Sequence, residues 1–79
     1  MYYAYILESL SRPGERYIGS TSDLKSRLRE HNAGLSAHTA KFHPWRIGFY
    51  AAFDNEPKAR AFERYLKTGS GREFARRHF

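Results

Sequence analysis

The runs Tyr2-Tyr3-Ala4-Tyr5-Ile6-Leu7-Glu8 and Arg16-Tyr17-Ile18-Gly19-Ser20 are apolar and aromatic, and Ser9–Glu15 divides them with the turn signal Ser11-Arg12-Pro13-Gly14. Rings and β-branched side chains suit a pleated surface, and a Pro-Gly pair suits a tight reversal, so the two runs predict a β-hairpin. Beyond it, Leu24 and Leu28 mark the apolar stripe of a helix around Asp23–Asn32. Thr21 or Ser22 is its expected N-cap, Asp23 places negative charge in its first turn, and Asn32 or Gly34 takes the left-handed cap at its end. Leu35–His43 reads as a polar connector. Pro44-Trp45 then leads into a strand over Arg46–Phe53, with Ile47, Phe49 and Tyr50 as its apolar residues.

The next helix carries a carboxylate where its apolar stripe should continue. In Asn55-Glu56-Pro57-Lys58-Ala59-Arg60-Ala61-Phe62-Glu63-Arg64-Tyr65-Leu66-Lys67, Ala59, Phe62 and Leu66 follow the i, i+3, i+7 spacing and Glu63 fills i+4. Pro57 suits its first turn. A carboxylate carried toward a core is costly unless something positive meets it. The earlier helix offers two such groups beside its own stripe, Arg27 and His31. Gly69-Ser70-Gly71 breaks the second helix, and Arg72–Phe79 is a short basic tail with helical potential. The order β-β-α-β-α predicts an α+β fold, a small three-stranded and mainly antiparallel sheet flanked by helices. Leu24, Leu28, Phe62 and Leu66 are expected among its most buried side chains.

At 79 residues the chain (1–79) is expected to form one domain, with residues 69–79 as its C-terminal tail. With no cysteine, disulfides, thiol chemistry and Cys-type zinc sites are excluded. Met1–Leu7 is too short for a membrane span and lacks a basic leader, so a cytoplasmic protein is expected. The net charge of +6 favours a polyanionic partner, most simply nucleic acid.

Tyr3-Ala4-Tyr5 on the first strand and Tyr17-Ile18-Gly19 on the second combine with Arg27, His31 and Glu63 to resemble the GIY-YIG nuclease superfamily. The first tripeptide stands at the GIY position with Tyr3 in place of the glycine, and the second matches YIG outright. The resemblance covers essentially the whole chain and is nearest to small stand-alone bacterial members. It implies a catalytic set of Tyr5, Tyr17, Arg27, His31 and Glu63, arranged around one concave surface. It also implies a divalent cofactor, Mg²⁺ or Mn²⁺, on Glu63. One departure is that the asparagine many members carry in the last helix has no counterpart near Phe74-Ala75-Arg76.

These residue types suit phosphodiester hydrolysis. A single carboxylate holds a Mg²⁺ whose other positions stay with water and phosphate oxygens. Arg27 is an always-charged planar fork for phosphate. Tyr17 is the candidate acceptor of the water's proton, and its phenol, ordinarily near pKa 10, needs cations close by. Tyr5 positions or relays within that network, and His31 accepts or passes a proton near neutral pH. The structural alternatives are packing tyrosines, a satisfied histidine and an Arg27–Glu63 ion pair.

Lys25, Arg29, Lys41, Lys67 and Arg72 are the expected contacts to the nucleic-acid backbone, binding without reading sequence. Ser36–Lys41 is either a mobile phosphate-contacting loop or an ordinary solvated one. The leading expectation is a metal-dependent DNA endonuclease of little sequence specificity, directed to single strands or DNA structure and suited to repair. Tyr2 is a possible base-stacking residue, whereas Trp45 is expected to pack in the core. The alternatives are a non-catalytic nucleic-acid-binding module, an accessory subunit of a repair complex, or a domain whose basic surface docks on acidic protein.

Overall fold

The structure is a computed structural model describing residues 1–78. Strands β1 (Tyr2–Ser9), β2 (Arg16–Thr21) and β3 (Trp45–Phe53) form one sheet in the order β2-β1-β3, with both neighbours antiparallel to the central β1. This is the predicted α+β arrangement. Gly14, with φ at +98°, makes the reversal between β1 and β2, where Ser9 N–H donates to the Glu15 carbonyl at 3.0 Å. A bulge at Gly48 shifts the β1–β3 register between Ile6 and Leu7.

Alternation along β1 divides the molecule into two layers. Tyr5 and Leu7 face one side, where they pack with Trp45, Tyr17 and Ile47 beneath helix α1 (Leu24–Asn32). Ile6 faces the other, packing with Ile18, Phe49 and Phe62 beneath helices α3 (Glu56–Leu66) and α4 (Gly69–His78). Of the four side chains expected to be most buried, only Leu66 is fully enclosed. Leu24, Leu28 and Phe62 are half-buried, because a sheet of three strands is too narrow to cover a helix flank completely.

Several boundaries differ from expectation for local reasons. Asp23, and neither Thr21 nor Ser22, caps α1, accepting from Ser26 N–H at 3.1 Å, so its charge lies just before the first turn. Gly34 takes the left-handed conformation after α1, at φ +75°. The connector contains a short helix α2 (Ala37–Ala40), anchored by the buried Thr39. Asn55 caps α3 by accepting from Lys58 N–H.

Gly69-Ser70-Gly71 does not break the chain but opens α4. The interruption is Lys67-Thr68, and the Thr68 hydroxyl oxygen accepts from Gly71 N–H at 3.1 Å as a helix-capping group. Gly71 is required there by space, since a Cβ on it would stand 1.9 Å from the Tyr65 carbonyl oxygen. The predicted tail is thus a helix docked through Ala75 rather than a free arm. Its last residue, Phe79, lies outside the described residues.

Candidate active site

Tyr5 and Tyr17 lie on the α1 side of the sheet because their positions on paired strands share one face. Gly19, directly opposite Tyr5, permits this arrangement. The Tyr5 ring lies over it so closely that a Cβ there would stand 2.6 Å from the phenol oxygen. The glycine of Tyr17-Ile18-Gly19 is therefore a gap filled by Tyr5.

Through that gap the Tyr5 hydroxyl meets His31 Nε2 at 3.2 Å. His31 is 1% exposed, and its Nδ1 lies 2.8 Å from the Thr39 hydroxyl. The Thr39 hydroxyl donates to the Ser36 carbonyl at 3.4 Å, which leaves its oxygen to accept from Nδ1–H. That arrangement assigns the neutral tautomer with Nε2 unprotonated, ready to accept from the Tyr5 hydroxyl. Burial, followed by the nearby Arg27 charge, lowers the His31 pKa, with Glu30 opposing. Burial raises the Tyr5 pKa, and the Arg27 guanidinium holds the rise in check. Tyr5 is thus a proton donor to a neutral imidazole.

Tyr17 completes the aromatic wall, its ring 4.8 Å from His31 and 6.3 Å from Tyr5. Arg27 reaches the cluster from α1. One terminal nitrogen pairs with Glu30 at 3.1 Å, while its Nε is buried with no hydrogen-bond partner among the described residues. The guanidinium also lies against the Tyr5 hydroxyl, and their hydrogen bond raises the Arg27 pKa while opposing the rise in that of Tyr5.

Glu63 stands apart from this cluster. One carboxylate oxygen accepts from the Ser20 hydroxyl at 2.6 Å and the other pairs with the Lys67 ammonium at 2.8 Å. Ser20 and Tyr17 project from opposite faces of β2, so Glu63 approaches from the α3 side. Glu63 and Ser20 thus approach the edge strand β2 from the α3 side, and Tyr5, Tyr17 and His31 from the α1 side. The Glu63 charge still reaches Tyr5 across the strand, adding to the rise in its pKa. Burial alone would raise the Glu63 pKa, but hydrogen bonds from Lys67 and Ser20, with the Lys67 and Arg60 charges, bring it below the usual carboxylate value. An Arg27–Glu63 structural ion pair is not what the fold contains, since Arg27 pairs with Glu30 and Glu63 with Lys67.

Among the described residues no group of three or more histidines or carboxylates is placed to share an ion. A metal here would rest on Glu63, with Ser20 beside it. The donor chemistry fits, since both offer hard oxygen and Mg²⁺ keeps much of its water shell. The Lys67 ammonium already occupies a cation's place on that carboxylate.

The expected phosphate contacts do not form one patch. Lys25 and Arg29 are exposed on α1, and Lys41 lies 5.2 Å over the Phe42 ring. Lys67 is committed to Glu63, and Arg72 lines a cavity of about 500 Å³ on the opposite face with Ile6 and Ile18. Ser36–Lys41 is anchored at Thr39, which binds His31 through its hydroxyl and accepts from the Trp45 indole N–H through its carbonyl, at 3.0 Å. Trp45 is core, as expected, at 3% exposure. Sequence reading missed Ser20 and Thr39. Ser20 had a signal, since it follows Gly19 directly and alternation turns it toward the acid-bearing helix.

A model of the GIY-YIG catalytic domain matches residues 1–77. The chain belongs to the GIY-YIG family. It is similar to a UPF0213 protein of Streptococcus pyogenes serotype M3, 36% identical over 66 residues that cover 82% of this chain and 70% of that protein. It is also similar to the structure-specific endonuclease subunit SLX1 of Scheffersomyces stipitis, 44% identical over 52 residues. The same-named subunit of Malassezia globosa is 46% identical over 50 residues. These two matches cover 58% and 60% of this chain but only 16% and 11% of the relatives, so the chain spans less than a fifth of either.

Proposed function

We propose that this GIY-YIG chain is a divalent-metal-dependent endonuclease that hydrolyses DNA phosphodiester bonds with little sequence specificity. The observation that carries the reading is the Tyr5–His31–Thr39 chain beside Tyr17 and the buried, unpartnered Nε of Arg27. A packing cluster has no need of a buried hydrogen-bonded chain that ends beside a guanidinium. The family and the SLX1 relatives support the same chemistry and DNA as substrate.

In this reading Arg27 binds a non-bridging phosphate oxygen and meets the charge that grows there in the transition state. Tyr17, acting as the phenolate, orients the attacking water and accepts its proton to become the neutral phenol. Tyr5, its hydroxyl donating to the neutral imidazole of His31 at Nε2, fixes the hydroxyl geometry of the site. Glu63 and Ser20 hold Mg²⁺ or Mn²⁺, which when bound supplies charge stabilisation for the phosphate and leaving oxygen. Basic side chains outside this set add attraction to the DNA backbone.

Incubation with single-stranded, duplex and flapped DNA and with RNA, each with Mg²⁺, Mn²⁺ or chelator, tests this function. Metal-dependent cleavage of DNA is expected, and its absence from every combination would overturn the reading.

A second reading is a nucleic-acid-binding module without catalysis. Lys67 on the Glu63 carboxylate favours it, because that pair is stable without a metal. Salt-sensitive binding with no metal-stimulated cleavage is its signature.

A further inference from the structure

Beside the candidate site the sheet leaves the Tyr50 ring uncovered, with Tyr3 half-buried next to it. Tyr50 on β3 lies directly opposite Tyr5 in the register, so both project on the α1 side. Tyr50 is 53% exposed, and its ring meets that of Tyr3 edge-on at 5.9 Å. These rings wall a groove of about 430 Å³ whose floor is Ile47 and Leu24 and whose rim carries Lys25. Tyr3 precedes Tyr5 by two residues on the same face of β1, about 7 Å along the strand. Along the backbone the groove therefore begins one residue pair from Tyr5, whose ring turns the other way, over Gly19 on β2.

We propose that this groove binds an unpaired DNA base next to the cleaved phosphodiester, with Tyr50 as its stacking surface. The proposal rests on the nuclease reading and names its substrate class as DNA that is single-stranded at the cut. A nucleobase suits the groove on three counts. Its walls are aromatic faces and edges, which stack any base without reading its identity. Its volume is that of a small-ligand site. Its rim supplies one cation, Lys25, for the phosphate that accompanies the base. Asp23 also lines the groove, and its carboxylate is held by Ser26 N–H at the start of α1. A paired base has its faces covered by neighbours in the duplex and cannot enter between Tyr50 and α1.

Fluorescence anisotropy of a labelled oligothymidylate and of a duplex of equal length, both in chelator, isolates binding from cleavage. Tyr50→Ala is expected to weaken the single strand at least about fivefold while leaving the duplex unchanged, and Tyr50→Trp is expected to restore single-strand binding. Tyr50 is exposed, so the variant is expected to fold, and circular dichroism checks this directly. Unchanged single-strand affinity in Tyr50→Ala, an equal loss for duplex, or no single-strand binding by the native protein would each overturn the proposal. Failure of the nuclease reading looks different. A protein that binds the oligothymidylate through Tyr50 but cleaves no DNA with metal keeps the groove and loses the enzyme.

Discussion

The Tyr5 hydroxyl and His31 Nε2 stand 3.2 Å apart inside the protein, with the far nitrogen of the imidazole held at 2.8 Å by Thr39. A hairpin and a helix that are separate in sequence are thereby joined through one buried ring, and the ring's tautomer is set from behind. Neutral His31 is a condition of that arrangement.

Protonation of His31 should therefore destabilise the fold. His31 holds its proton less well folded than unfolded, so folding is favoured fully above the unfolded value, about pH 6.5. Its contribution is lost as pH falls below that value toward the lower folded pKa. Thermal melts between pH 7.5 and 5 should show a falling Tm in the native protein and a flatter profile in His31→Gln. Equal pH slopes in the two proteins would contradict this account of the ring.

Gly19 should tolerate no side chain without loss at Tyr5. Gly19→Ala places a methyl carbon 2.6 Å from the phenol oxygen, so Tyr5 must leave its contact with His31. A loss of about 1–3 kcal/mol in denaturant titrations is expected from overpacking. Gly71→Ala meets the Tyr65 carbonyl, a backbone atom that cannot step aside, and should loosen α4 from α3 by at least as much. A cost below about 0.5 kcal/mol for either would show that the close approach is absent in solution.

The hairpin, both long helices and the Glu63 position were legible because each rests on local signals: ring-rich runs, a Pro-Gly turn, an apolar stripe with one acid in it. What stayed hidden depends on which face of the edge strand a side chain takes relative to a distant helix. Tyr17 and Ser20 lie on one strand but on opposite faces, so Tyr17 belongs with His31 and Ser20 with Glu63. Strand spacing gives that division, yet it does not say which helix covers which face. Thr39 was obscured by a polar connector whose composition resembles a loop. Its role follows only from the burial of His31. Lys67, expected at the nucleic-acid backbone, is instead drawn to Glu63 by their i,i+4 spacing at the end of α3.

Lys67→Met should tighten metal binding. The ammonium competes with a divalent ion for the Glu63 carboxylate, and an exposed pair of this kind is worth little. Half-saturation by Mn²⁺ should fall about two- to fivefold, on the scale of a surface ion pair. Calorimetric titration of both proteins measures it, and weaker metal binding in Lys67→Met would count against Glu63 as the ligand.

Arg27→Lys should keep the charge and lose the chemistry. An ammonium cannot present a planar fork to a phosphate. Cleavage should fall about 10²-fold or more while DNA binding changes little, as expected for a donor aimed at the transition state. Near-native rates in Arg27→Lys would reduce Arg27 to a general cation.

The most direct test is to compare native protein and Glu63→Ala on one flapped DNA substrate, with Mg²⁺ and with chelator, measuring cleavage and binding together. Glu63 is negative and half-buried, so its removal should not weaken attraction to phosphate. The expected result is cleavage by native protein only with metal, none by Glu63→Ala, and similar DNA affinity in both. Cleavage by Glu63→Ala at the native rate, or a native protein that binds the flap and never cuts it, would contradict a metal-dependent nuclease centred on Glu63.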